Sequence, residues 1–271
     1  MRFTERDGRL LHWINGHGFV TLRQVARWLG TNYQTAQRRV RLLYDGGYID
    51  CQWLVHGDRA HWLTPAGRAM CGDSLPPPKH IRLGSYRHDR MLVDLALTLT
   101  ADNGGHFTPE RRLRQVQELD RVGKRGHVAD GWLHTEDQKK PIAIELELST
   151  KGSRRLERIL RGYMADLDIA KVWYFVECEA VRRQLAKAAK DLGFIKIHDL
   201  PSSCCQLVGN QVSNHEGTPA SRSDAEPLCR KEGCGQGRRQ PPEGEVLTAS
   251  DRRLTGHPRI VGHLLDEGRS S

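Results

Sequence analysis

What this chain lacks narrows its class before any motif is read. None of its apolar runs approaches the roughly 20 residues that a membrane-spanning helix needs, so no helical span and no membrane partner are expected. Met1-Arg2-Phe3-Thr4-Glu5 carries no hydrophobic signal segment, and a cytoplasmic chain is expected. The seven cysteines are scattered and odd in number, which suits a reducing compartment better than a disulfide scaffold. Residues 201–271 lack hydrophobic periodicity; Ser, Gly, Pro, Arg and Glu dominate there, and a mostly disordered tail is expected. Cys204-Cys205 with Cys229-x4-Cys234 in that stretch offer a zinc site as an alternative, although the spacing is not that of a finger.

The 271 residues leave room for two folded domains. The formal charge is +9, unevenly placed. Residues 1–70 hold 10 Lys/Arg against 5 Asp/Glu, residues 71–200 hold 23 against 19, and residues 201–271 hold 9 against 9. The excess lies ahead of the tail and is densest at the N-terminal end. A polyanion partner is one reading, and an ordinary solvated basic surface is the other.

Residues 1–70 are strongly punctuated. Thr4 caps a helix with Leu10, Leu11 and Ile14 inward. Thr21-Leu22-Arg23-Gln24 has the form of a capping box, and Thr31-Asn32-Tyr33-Gln34 repeats it ten residues later. The helix between them is therefore short, with Leu22, Val25, Ala26 and Leu29 inward and Gly30 at the turn. The third helix is expected to bury Tyr33, Ala36, Val40 and Leu43 and to leave Gln34, Gln37, Arg38 and Arg41 on a polar stripe. A two-stranded ribbon follows, from Tyr48–Trp53 and Ala60–Leu63, and Thr64-Pro65 starts another short helix. Three helices and a ribbon resemble a winged helix-turn-helix. That resemblance implies that the third helix enters the major groove of double-stranded DNA, with Gln34, Gln37, Arg38 and Arg41 as DNA-binding residues. A winged helix used for protein contacts is the alternative. Residues 71–84, with Pro76-Pro77-Pro78, read as a stiff Pro-rich linker.

Residues 85–200 read as a second domain. A helix from Ser85 to Asp102 places His88, Leu92, Leu95 and Leu99 on one face, so His88 is a core residue or a partner of a site residue. Arg111, Arg112 and Arg114 are expected on a surface. Strand-like runs at 126–134 and 141–151 flank a polar turn and read as a hairpin. Along the second, Ile142, Ile144, Leu146 and Leu148 share one face, and Ala143, Glu145, Glu147 and Ser149 share the other. Asp130 then lies beside Glu145 and Glu147 across the ladder. Like charges packed together in a buried strand repel unless a cation intervenes, and hard divalent cations take oxygen ligands; a strand with one wet face is the alternative. A helix from Arg154 to Leu167 follows, with Leu156, Ile159, Leu160, Tyr163 and Met164 inward and Arg154, Arg158 and Arg161 as a basic stripe. Val172–Val176 is a buried strand, and then come a helix and the strand 194–197. The expected class is α/β, or α+β overall, with a mixed sheet flanked by helices.

Asp130 followed by Glu145-x-Glu147 after a hairpin resembles the PD-(D/E)XK nuclease superfamily, in which such acids bind magnesium and activate water. Ala129 stands at the family's Pro, and Glu147 at its catalytic Lys. The resemblance implies Asp130 and Glu145 as ligands of magnesium or manganese and as catalytic residues; the enzyme reading adds Glu147, the third acid of the cluster, to both sets, with Lys151 reaching back to stabilise developing charge. A winged helix joined to such a domain resembles the replication-relaxation family and its mobilization relatives of the MobC type. That implies a DNA-binding protein of plasmid replication or mobilization, working with other mobilization or replication proteins and nicking DNA at an origin. Conventional relaxases use a His-hydrophobe-His site, and no His-x-His occurs here. Two readings stay open: a metal-dependent DNA endonuclease or relaxase, and a non-catalytic replication or transcription factor with a degenerate nuclease fold.

Overall fold

In a computed structural model of the chain, residues 2–54, 59–120 and 127–205 are described. All fall within one compact unit, Met1–Arg230. The tail beyond Cys205, the ribbon's turn at 55–58 and the cysteines 229 and 234 lie outside the described residues.

The chain opens with α1 (Glu5–His17), where Thr4 and Asp7 cap each other reciprocally. β1 (Val20–Thr21) leads into α2 (Leu22–Leu29), whose first turn is closed by Gln24 Oε1 accepting from Thr21 N at 2.8 Å. The next helix, α3 (Tyr33–Asp45), is capped by Asn32 rather than Thr31. The reason lies in the helix before it: Gly30 is left-handed, and Thr31 N donates to Ala26 O at 3.0 Å, so Thr31 belongs to the preceding C-terminal turn. Tyr33 becomes the first helical residue and is 47% exposed, not buried as its spacing implied. β2 (Ile49–Trp53) and β3 (Arg59–Leu63) pair antiparallel, and the sheet order is β1-β3-β2. α4 (Pro65–Cys71) is capped by Thr64.

A 3-10 turn at Leu83–Ser85 leads into α5 (Tyr86–Asn103). The remaining elements are β4 (His106–Pro109), α6 (Glu110–Asp120), β5 (Gly131–His134), β6 (Ile142–Glu147), α7 (Ser153–Met164), β7 (Lys171–Val176), α8 (Glu179–Ala188), β8 (Ile195–Asp199) and α9 (Ser202–Cys205). Five strands form a sheet in the order β4-β5-β6-β7-β8. β4, β5 and β6 are antiparallel, whereas β6, β7 and β8 are parallel. The architecture is mixed α/β.

Every residue of β6 is buried, because helices cover both faces. Ile142, Ile144 and Leu146 pack with Met91, Leu95 and Leu99 of α5. Ala143 packs on the opposite side with Leu156, Ile159 and Tyr163 of α7. Glu145 and Glu147 share the face of Ala143 by alternation, so they point into the α7 side.

Several expectations change. α7 ends at Met164, which is 58% exposed, and does not reach Leu167. β4 and α6 had no clear periodic signal; β4 is short and ends in Pro. Gly131 faces β4 without a side chain, since a Cβ there would stand 2.0 Å from the Phe107 ring. Residues 202–205, grouped with the tail, form α9, and Cys204 is buried against α5.

The stretch read as a linker is pinned at its start. Asp73 accepts from Asn15 Nδ2 (3.0 Å), Leu75 N (2.9 Å) and both terminal nitrogens of Arg112. Arg112 is therefore largely buried, a correction to its expected place on the surface. Nearby, Gln24 Nε2 donates to Arg90 O at 2.9 Å and Arg27 pairs with Asp94 at 3.0 Å. α5 also contributes Val93 to the core of α1, α2 and α3, so the helix is buried on two sides.

Candidate functional site

Asp130, Glu145, Glu147, Lys151 and His88 line one polar cavity of about 450 Å³. Asp130 ends the stretch before β5, and register places it next to Glu145: Gly131 pairs with Ile144. Its Oδ2 accepts from Leu146 N at 2.8 Å, which fixes the carboxylate against the edge of β6.

His88 comes from the first turn of α5. Its Nε2 lies 3.1 Å from Leu146 O and 3.3 Å from Asp130 Oδ2, and its Nδ1 lies 3.3 Å from Asp89 Oδ1. Burial opposes the imidazole's charge, but hydrogen bonds to Asp130 and Asp89 and their negative charges outweigh it. The His88 pKa is pushed up to about 10. The two carboxylates favour the charged imidazole, and the contact at 3.3 Å orients Asp130.

Glu145 is 1% exposed. Its Oε1 accepts from His127 Nε2 at 2.6 Å and from the Tyr163 hydroxyl. Burial, then the charge of Asp130, raise the Glu145 pKa, against the pull of His127. The carboxylate is thus held in a place where its own charge is disfavoured. Burial and the Glu145 charge drive the Tyr163 phenol well above its ordinary value, so it stays a donor. Tyr174, opposite Glu145 in the β6–β7 register, is fully buried with a hydroxyl that finds no hydrogen-bond partner among the described residues.

Glu147 is paired with the Lys151 ammonium. Lys151 lies past the end of β6, where its N–H donates to Gln184 Oε1 (3.1 Å) and its carbonyl accepts from Gln184 Nε2 (2.6 Å). Its position is therefore fixed from α8. His127, Arg114 and Arg155 also line this cavity and Tyr163 reaches it through Glu145, and no sequence motif marks the four. Tyr163 was readable as an inward residue of its helix, but nothing local reveals that its hydroxyl meets a carboxylate 18 residues away.

The second cluster of sequence-identified residues is on α3. Gln34, Gln37, Arg38 and Arg41 are all exposed on it, with Arg41 held 3.1 Å from Asp45. Arg39 turns the other way and pairs with the buried Asp7, tying α3 to α1. Among the described residues, no three His, Cys, Asp or Glu side chains converge as a metal-holding group, and no helix is long and apolar enough to cross a membrane. Comparison with known proteins finds no matching family model, no matching curated protein and no matching solved structure.

Proposed function

We propose that this chain is a DNA-binding protein of plasmid or mobile-element replication and mobilization, with a metal-dependent nicking activity directed at an origin. Residues 1–70 would act as a winged helix-turn-helix that presents Gln34, Gln37, Arg38 and Arg41 to duplex DNA. The order of helices and the β1-β3-β2 sheet support that reading. The five-stranded body would act as a PD-(D/E)XK-like domain, working alongside replication or mobilization proteins in the cytoplasm. One observation carries the proposal: two neighbouring carboxylates, Asp130 and Glu145, share a polar cavity with Lys151, and Glu145 is held where its charge is under-compensated.

The donor set fits magnesium or manganese better than zinc. Such ions take hard oxygen ligands, keep several waters and are commonly held by one or two carboxylates plus phosphate oxygens. Glu147, engaged by Lys151, is left to position that lysine, so Asp130 and Glu145 are the proposed ligands. When bound, such an ion supplies positive charge at a phosphoryl oxygen and lowers the pKa of a neighbouring water. His88 and Leu146 N keep Asp130 in place, while His127 and Tyr163 keep Glu145 in place. Lys151 would supply positive charge where negative charge develops on a cleaved phosphodiester.

A non-catalytic factor is the second reading. It is favoured by the fact that each carboxylate already has a protein partner: His88 for Asp130, His127 and Tyr163 for Glu145, Lys151 for Glu147. Supercoiled plasmid carrying an origin separates the two. The expected result is nicking by the wild type in magnesium or manganese, loss of nicking in Glu145→Gln, and retention of gel-shift affinity within a few-fold. A wild type that binds DNA and never nicks it establishes the second reading. For the DNA face, Arg38→Ala is expected to cost about 1–3 kcal/mol at a cognate site if its contact is to a base edge.

A further inference from the structure

α7 carries three arginines, Arg154, Arg155 and Arg158, whose role neither the cavity nor α3 explains. All three are exposed, and none has a carboxylate within ion-pairing distance among the described residues. Their neighbour Arg161 differs, being paired with Glu157 at 3.3 Å. The opposite face of the helix is occupied, since Leu156, Ile159 and Leu160 are buried in the sheet-side core. The arginines are therefore held outward by a helix that cannot rotate.

Their location is what separates them from an ordinary solvated face. Arg155 lines the carboxylate cavity, as do Gly152, which caps α7, and Lys151. The positive end of the α7 dipole faces the same place. Arg154 and Arg158 lie about one turn apart, about 6 Å along the axis, comparable with the roughly 7 Å rise over two nucleotide steps of one strand, about 3.4 Å each.

We propose that Arg154, Arg155 and Arg158 form a phosphate-contacting surface for duplex DNA, distinct from α3, that feeds the backbone toward the carboxylate cavity. This rests on the DNA-binding reading above. Three cations, unpaired among the described residues, beside an acidic cavity fit a polyanion whose backbone must be held while its own charge is repelled by Asp130 and Glu145. Contacts of this kind position a duplex without reading its sequence.

The test is the salt dependence of binding of the full chain to a mixed-sequence B-form duplex. Each phosphate neutralised contributes about 0.9 to the slope of log affinity against log salt. The triple substitution Arg154→Ala, Arg155→Ala, Arg158→Ala is expected to flatten that slope by roughly 2–3, with the circular dichroism spectrum and thermal midpoint unchanged because the side chains are exposed. The matching triple to Lys is expected to keep most of the slope, which a purely structural role would not predict. If the wild type binds the duplex and the alanine triple leaves its slope unaltered, the surface is overturned and the DNA-binding reading stands. If the wild type binds no duplex at all, both fall together. A loss confined to single-stranded RNA or to phosphatidylserine vesicles, with the duplex slope intact, also overturns the proposal.

Discussion

Two buried carboxylates, Asp73 and Glu145, meet opposite fates in this protein. Burial works against the charge of both. At Asp73 the hydrogen bonds from Arg112, Asn15 and Leu75 N and the guanidinium charge overwhelm that cost, and the carboxyl is held well below the usual range. At Glu145 burial and the neighbouring Asp130 win, and the carboxyl is raised. An anion answered this fully holds elements together and has nothing left to offer. One left in conflict with its surroundings favours its neutral form, and under the proposed function it is the group that a visiting cation would relieve.

The comparison breaks most visibly if Asp73 is removed. Asp73→Ala strands a largely buried Arg112 and should cost about 3–5 kcal/mol in urea unfolding. A loss below about 1 kcal/mol would mean the cluster is ornamental. Acidity separates the two sites by sign. The lowered Asp73 pKa contributes stability that is present above the unfolded value and is lost as pH falls through the folded one. The gap between wild type and Asp73→Asn should therefore begin to narrow below about pH 4, near the unfolded value, and close only as pH falls through the lower folded one. The raised Glu145 pKa works the other way: the contribution is complete below the unfolded value and is lost as pH rises through the folded one.

Glu145→Gln should accordingly leave stability at neutral pH equal or improved. Tyr163 and His127 both reach the same oxygen, Oε1, which the amide retains. Destabilisation as large as that of Asp73→Asn would erase the distinction between the two sites. The smallest effect is expected for Arg161→Ala, which removes an exposed ion pair with Glu157 and should change stability by about 0–0.5 kcal/mol.

Much of this arrangement was legible from periodicity. Period-two alternation is enough to read that Glu145 and Glu147 share a face, and the hairpin pattern puts Asp130 beside them. The i, i+3, i+4 spacing identifies Leu156, Ile159 and Leu160 as the inward face of α7. Contacts without a period were not legible. Asp73 and Arg112 are 39 residues apart, and each reads locally as linker or surface. The start of α3 was off by one because two signals compete there: Thr31 has the form of a cap, yet the closing turn of α2 had already used it. His127 gave no local cue that it would meet Glu145, because that meeting depends on how the strands pair.

α5 has a consequence for inheritance. Val93 faces one core, and Met91, Leu95 and Leu99 face the other, so a single helix is common property of the N-terminal elements and the sheet. Excising residues 1–70 would leave that first core without Val93, and beginning a fragment at residue 85 would leave an apolar side of α5 wet. Domains joined by a loose tether, with few contacts across the boundary, can be exchanged independently. These two halves can be exchanged only with a helix that suits both partners, and substitutions at Val93 must answer to a neighbour more than 60 residues upstream.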